Sequence, residues 1–248
     1  MSNHKILTID NLSLQEFDSE AELIPLLTPE DEEEMNNEEL PDSLPILPLR
    51  NTVLFPGVVI PISAGRDKSI KLINDANAAG KVIGVVSQIN EEDEDPKFDD
   101  IHKIGTVARI LRVLKMPDGN VTVILQGKKR FEITEVASEE PYLTANIKEV
   151  PEKRPTKKDS EFNAIIDSVK ELAVKIVNES PNIPSEATFA IKNIGSPSFL
   201  INFVSSNMNL SVKEKQDLLS INGLKERALE TLRYMNVELE KLELKNDI

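Results

Sequence analysis

Four prolines, Pro45, Pro48, Pro56 and Pro61, cut the apolar sequence between Leu44 and Pro61 into pieces of at most three residues: Ile46-Leu47, Leu49, Val53-Leu54-Phe55 and Val58-Val59-Ile60. Pieces this short are strand material, because a helix needs an apolar stripe sustained over several turns. Proline has no amide proton to give to a ladder, so strands built on these pieces must lie at sheet edges or break at bulges. The chain therefore opens its folded part on a small, curled, edge-rich sheet.

With 248 residues, 40% of them hydrophobic, the chain can build two modest cores. It has no cysteine and only two histidines, His4 and His102. Disulfides, thiolate metal sites, cysteine nucleophiles and a zinc site are thereby excluded. No apolar run approaches the ~20 residues of a membrane span, and the first residues lack the basic-then-apolar pattern of a signal peptide. A soluble, cytoplasmic protein is expected. The formal net charge of −14 opposes nucleic-acid binding, which depends on clustered Lys and Arg. Much of that charge is local: no Lys or Arg lies between Lys5 and Arg50, whereas Glu30–Glu34 and Glu38-Glu39 do.

Residues 1–43 combine this acidic run with scattered leucines and prolines, and bury too little apolar surface to offset ordering entropy. They read as an acidic, disordered leader, with Leu23, Ile24, Leu26 and Leu27 as an alternative short docking motif. Residues 44–151 read as strands around one helix over 66–79, which Gly80 stops. Strand 81–89 follows, then an acidic loop at Glu91–Asp95 that lacks the ligand spacing and turn glycine of a calcium site. Ile104–Met116 and Val121–Leu125 form a hairpin about Pro117-Asp118-Gly119-Asn120. In the first of these, Val107 and Leu111 differ in parity from Ile110, which predicts a bulge. Further strands are expected at 127–133 and 142–150.

Pro151 and Pro155 mark a boundary beyond which the periodicity becomes helical, so 152–248 reads as an all-α subdomain. Phe162, Ile165, Ile166, Val169, Leu172, Ala173 and Ile176 define one helix over 159–179. Ser196-Pro197 opens another, and Ser211 with Glu214 has capping-box spacing. Ile221, Leu224, Ala228, Leu232, Met235, Leu239 and Leu242 then form a narrow stripe. The spacing leaves two uses open: packing inside the subdomain, or pairing between copies through Leu232, Met235, Leu239 and Leu242.

Three segments carry a family resemblance. LPILPLRNTVLFPGVVIPISAGRDKSI and GTVARILRVLKMPDGNVTVILQGKKRFEI resemble the LON N-terminal domain that opens ATP-dependent Lon proteases. KEKQDLLSINGLKERALETLRYMNVELEKLELK is similar to the stretch where that family's helical subdomain runs into a long helix leading to its ATPase. The resemblance spans roughly 44–248. It implies an α+β fold, a PUA-like curled β pseudo-barrel with one helix followed by an all-α subdomain ending in a long, truncated helix. It further implies a non-catalytic recognition module for unfolded or degron-bearing proteins, contributing to hexamer assembly. A serine peptidase with a Ser-Lys dyad and an ATPase using ATP and Mg would lie elsewhere in the longer protein. As a fragment, the chain is expected to be a monomer or weak dimer.

The residues agree that no catalysis should be sought here. A phosphate-binding loop needs G-x-x-x-x-G-K-[ST]. Gly80-Lys81 has Asp75 at the first glycine position and Val82 after the lysine, while Gly127-Lys128 has Thr122 and Lys129. Both read as turn glycines followed by exposed lysines. No Ser-Lys pair is singled out, and Asp99-Asp100 and Glu139-Glu140 read as solvated surface. Catalytic, cofactor-binding and metal residues are thus assigned to none. What remains is binding: to unfolded segments, through apolar grooves or strand edges, as part of a protease or as a stand-alone LON-domain adaptor. Lys128-Lys129-Arg130 is a small basic patch, insufficient for an RNA groove.

Overall fold

The computed structural model describes residues 27–248 and divides them into two compact units. The first comprises Glu30–Pro151 together with Ser211–Ser220. Helix α1 (Pro29–Asn37) precedes strands β1 (Ser43–Leu49) and β2 (Val59–Ala64), helix α2 (Asp67–Ala78), and strands β3 (Val82–Ser87), β4 (Ile104–Lys115), β5 (Val121–Ser138) and β6 (Thr144–Glu149). A 3-10 turn at Phe98–Asp100 lies between β3 and β4.

The sheet order is β2-β5-β4-β3-β1-β6, and β6 also pairs with β5. That additional pairing closes β1, β3, β4, β5 and β6 into a ring and leaves β2 as a flap on β5. Closure is possible because β5 runs for 18 residues. Its first half, 121–126, pairs with β2, and its second half, 131–138, pairs with β6. The ring encloses Ile46, Val86, Val107, Phe131, Ile133 and Ala145, all less than 6% exposed.

The prolines act locally. Pro45 pairs only with β6 and Pro48 only with β3, so β1 sits between two strands while each proline has a neighbour on one side. Val53-Leu54-Phe55, expected as a strand, is instead a buried connection. Its polar backbone is satisfied from outside the ladder: Thr106 Oγ1 donates to Leu54 O at 2.6 Å, and Ser87 Oγ to Thr52 O at 2.7 Å. Pro56-Gly57 then turns the chain, with Gly57 at φ 80° and Val58 N donating to Phe55 O at 3.2 Å, as a type II turn requires.

The parity conflict in β4 resolves as two register shifts against β5, at Thr106/Ala108 and Ile110/Arg112, which let both Val107 and Ile110 face inward. Gly127 is not a turn glycine. It lies within β5, where a Cβ would stand 2.3 Å from Phe55 O, so the two expected strands at 121–125 and 127–133 are one. At the end of α2 the left-handed residue is Lys81 (φ 60°), next to the expected stop at Gly80, and its amide donates to Ala76 O at 2.9 Å.

Arg130, only 3% exposed, shows why residues 211–220 belong to this unit although their sequence is helical. Its guanidinium donates to Leu219 O at 2.8 Å and to Pro151 O at 3.3 Å. Gln216 Nε2, on α6 (Val212–Ser220), donates to Ile104 O at 2.9 Å. The capping box is formed as its spacing predicts: Ser211 N donates to Glu214 Oε1 at 3.0 Å and Glu214 N to Ser211 Oγ at 3.1 Å.

The second unit comprises Glu152–Leu210 and Ile221–Ile248. It contains α3 (Ser160–Glu179), α4 (Glu186–Lys192), α5 (Pro197–Asn207) and α7 (Leu224–Asn246). Asp159 and Ser196 cap α3 and α5 through Phe162 N (2.9 Å) and Phe199 N (3.1 Å). Helix α4 escapes the sequence reading because it is 7 residues long, too short for a periodic stripe. Val169, Leu200, Ile201, Ala228 and Met235 are fully enclosed.

One buried ion pair organises this unit. Arg227 has no exposed side-chain surface and binds Glu152, which keeps 14%. Glu152 also accepts from Ser198 Oγ at 2.9 Å and from Arg154 Nε at 3.0 Å. Burial alone would raise the Glu152 pKa, but Arg227, the Ser198 hydroxyl and Arg154 outweigh it and hold the carboxyl below its ordinary value.

Two outcomes are expected. Gly127→Ala forces the β5 backbone away from Phe55 and should destabilise the sheet unit by about 3 kcal/mol; a urea midpoint equal to wild type would contradict this. Glu152→Gln leaves a buried arginine without its counter-charge and should cost about 3 kcal/mol at pH 7. Because the folded pKa is depressed, that contribution is present above the ordinary Glu value and lost as pH falls through the folded one. Urea melts of wild type and variant should therefore differ at pH 7 and converge in acid.

Candidate functional site

A cleft of the sheet unit lies beside the first turn of α2. Its volume is about 310 Å³, and its floor is Ile46, Leu47, Leu72 and Leu143. These residues are recessed, none more than 7% exposed, and Pro48 pairs on one side only, which leaves the other flank of β1 unpaired above them. The walls are α2 residues Arg66–Ser69, loop residues 94–97, and Glu139 and Tyr142 ahead of β6.

The acidic loop stays solvent-exposed at Glu91, Glu92, Glu94 and Asp95, and its residues 94 and 95 stand in the wall of this cleft, tied down by ion pairs. Lys68 binds Asp95 (3.1 Å) and Glu140 (2.8 Å), Lys97 binds Asp95 (3.0 Å), and Arg50 binds Glu94 (2.6 Å). Beneath it, Gln88 Nε2 donates to Asp93 O at 2.9 Å. Arg66 Nη1 reaches Gln88 Oε1 at 2.7 Å, and Nη2 reaches Pro48 O at 3.1 Å. Hydrogen bonds that Lys68 donates to Glu140 and Asp95 raise the Lys68 pKa, and those that Asp95 accepts from Lys97 and Lys68 lower its own. Tyr142 donates to Asp75 Oδ2 at 3.0 Å; burial, then Asp75, raise its pKa. Charges of both signs thus neutralise one another around an apolar floor. Such a cleft suits an apolar side chain on an extended segment. Among the described residues no group of His, Asp or Glu is arranged to hold a metal, and no helix is long and apolar enough to cross a membrane.

The free edge of β2 is poorly suited to strand addition. Gly127 N donates to Val58 O at 2.8 Å, which fixes the alternation along the register: Ile60, Ile62 and Ala64 turn their backbone toward β5, and Val59, Pro61 and Ser63 away. Pro61 therefore removes a donor from the open side, as edge protection requires.

The terminal stripe splits. Met235 is fully enclosed within this chain, so it is unavailable to a second copy; Leu232, Leu239 and Leu242 are half-buried on α7, which packs along α3. The basic triplet also splits. Arg130 is internal; Lys128, expected to be exposed, keeps only 17% of its side-chain surface, and Lys129 keeps 13%. In the stretch expected to be a disordered leader, residues 29–37 form α1, and Met35 is buried; Leu23, Ile24 and Leu26 lie outside the described residues. Phe189 on α4 stands 74% accessible, which no motif or periodicity had indicated.

Comparison with known proteins agrees with this architecture. The model of the ATP-dependent protease La (LON) substrate-binding domain matches residues 43–237. The chain is 90% identical over its whole length to Lon protease of Flavobacterium johnsoniae, covering 30% of that protein. It is 48% identical to Lon protease of Cytophaga hutchinsonii, with 92% of this chain and 28% of that protein aligned. The chain thus spans about 30% of the length of the first of these relatives and 28% of the second. Among solved structures, the N-terminal domain of a Mycobacterium avium complex Lon protease superposes with a TM-score of 0.66 at 23% identity, covering 78% of this chain and 98% of that one. The Lon N-terminal domain protein of Xanthomonas campestris gives 0.56 at 17% identity, with the same coverage. The chain belongs to the LON substrate-binding domain family.

Proposed function

We propose that this chain is the non-catalytic, client-recognising N-terminal region of an ATP-dependent Lon protease, and that the cleft beside α2 receives apolar side chains of unfolded or degron-bearing proteins. The observation that carries this reading is a cleft of about 310 Å³ with the buried side chains of Ile46, Leu47, Leu72 and Leu143 at its base, behind a rim where Lys68, Lys97, Glu94 and Asp95 are ion-paired. An unfolded client supplies apolar residues in extended backbone, and a neutralised rim favours no particular client charge. Peptide hydrolysis by a Ser-Lys dyad, ATP and Mg use, and hexamer assembly belong in this reading to the longer protein, in the cytoplasm. The sheet unit is the receptor in this reading. Leu232, Leu239 and Leu242 are the stripe residues left for contacts between copies, which would be monomer-to-dimer contacts in this fragment. The stand-alone adaptor is the less favoured reading, since the curated relatives matched are named as proteases.

Fluorescent casein should bind the isolated chain, and Tyr142→Glu, which puts an unpaired charge on the cleft rim, should weaken binding about tenfold while Tyr142→Phe leaves it near wild type. Equal affinity for Tyr142→Glu would remove the cleft from the account, and no binding by wild type would remove client recognition. In sedimentation, Leu232→Lys with Leu239→Lys should reduce any self-association; an unchanged profile would contradict the role of the stripe.

A further inference from the structure

Helix α1 lies over a second groove of the sheet unit, and three observations identify what the groove accepts. The first is charge. Residues 30–39 carry seven carboxylates and no base, and they meet Lys128 and Lys129. Lys129 Nζ donates to Glu38 O at 2.8 Å, and Lys128 Nζ stands 3.9 Å from Glu38 Oε1. A cation on a carbonyl just past the helix C-terminus also complements the helix dipole. Lys129 has a second anchor in Glu149, at 3.2 Å, so it stays oriented without the leader.

The second is a single apolar anchor. Met35 is 6% exposed and is the one buried residue of α1, while Leu40 packs against the core cluster that contains Leu44 and Val107. The third is incomplete filling. A space of about 400 Å³ remains between Met35 and Leu40 on one side and Val82, Val107 and Arg109 on the other. A helix of nine residues is marginal in water on its own, and Glu30 and Glu34 repel at i,i+4. The order of α1 therefore comes from the groove, through contacts that salt weakens.

We propose that this groove is a binding site for acidic peptide segments carrying one apolar anchor residue, and that residues 29–40 fill it as a tethered competitor. The chain thereby holds its own pseudo-ligand, and an incoming segment of the same chemistry displaces it. That the incoming segment comes from a client rests on the function proposed above; the groove and its tethered occupant do not.

The test uses the full chain and a labelled synthetic peptide of residues 28–42, followed by fluorescence anisotropy at low salt. A tether that occupies the groove nine-tenths of the time lowers apparent affinity roughly tenfold. Met35→Lys in the chain, or independently Glu38→Lys, should loosen α1 and tighten peptide binding by about that factor. Adding Lys128→Glu and Lys129→Glu to the Met35→Lys chain should abolish it, as should a peptide in which its own Met is Lys. Far-UV circular dichroism and the thermal transition verify that each variant is folded. Peptide affinity unchanged by both loosening variants would overturn the tether, and binding that survives the double lysine reversal would overturn the groove. Casein binding read on the same variants separates the two proposals: a chain that binds the peptide and ignores casein refutes the client reading alone.

Discussion

Everything in the sheet unit depends on β5 running unbroken for its 18 residues. It is the strand against which β2, β4 and β6 all pair, and the β5–β6 contact turns an open sheet into a ring. The requirement falls on Gly127, where β5 passes the Phe55 carbonyl with no room for a side chain. Given that passage, β1 is held between β3 and β6, the flank beside Pro48 stays unpaired, and the cleft opens over a recessed apolar floor.

The same strand couples fold to function in a second way. Three consecutive basic residues on β5 have different fates. Arg130 turns inward and binds carbonyls at Val150, Pro151 and Leu219, so its charge is spent on holding α6 and the end of the sheet. Lys128 and Lys129 face outward into the groove that α1 covers. A sequence patch that suggests a weak polyanion site is thus divided between a structural clasp and a site for carboxylates. The net charge of −14 has a corresponding use, since part of the leader's acidity is complementary to the domain that follows it.

Much of the architecture was legible because it is encoded locally. The caps at Asp159 and Ser196 and the Ser211–Glu214 box form with the partners their spacing dictates. The parity conflict in β4 announces its register shifts. What was not legible depends on partners distant in sequence. Nothing near Gly127 reveals that Phe55 will lie against it, and nothing near Leu219 reveals that Arg130, 89 residues away, will claim its carbonyl. Helix α1 was missed for the same reason: its composition opposes order, and only the lysines of β5 and the room for Met35 supply it. The cleft was only half readable. Its prolines and the α2 start stand out in sequence, but the ion pairs that make the acidic loop into a wall join residues up to 44 positions apart.

Recognition without catalysis is the central claim, and it places the client on a defined surface. Hydrogen exchange of the full chain with and without saturating unfolded casein tests it most directly. The account predicts slowed exchange at residues 46–48, 66–72, 94–97 and 142–143 around the cleft, with the helical unit unchanged. Protection confined to the helical unit, or absent from the cleft at saturation, would contradict it.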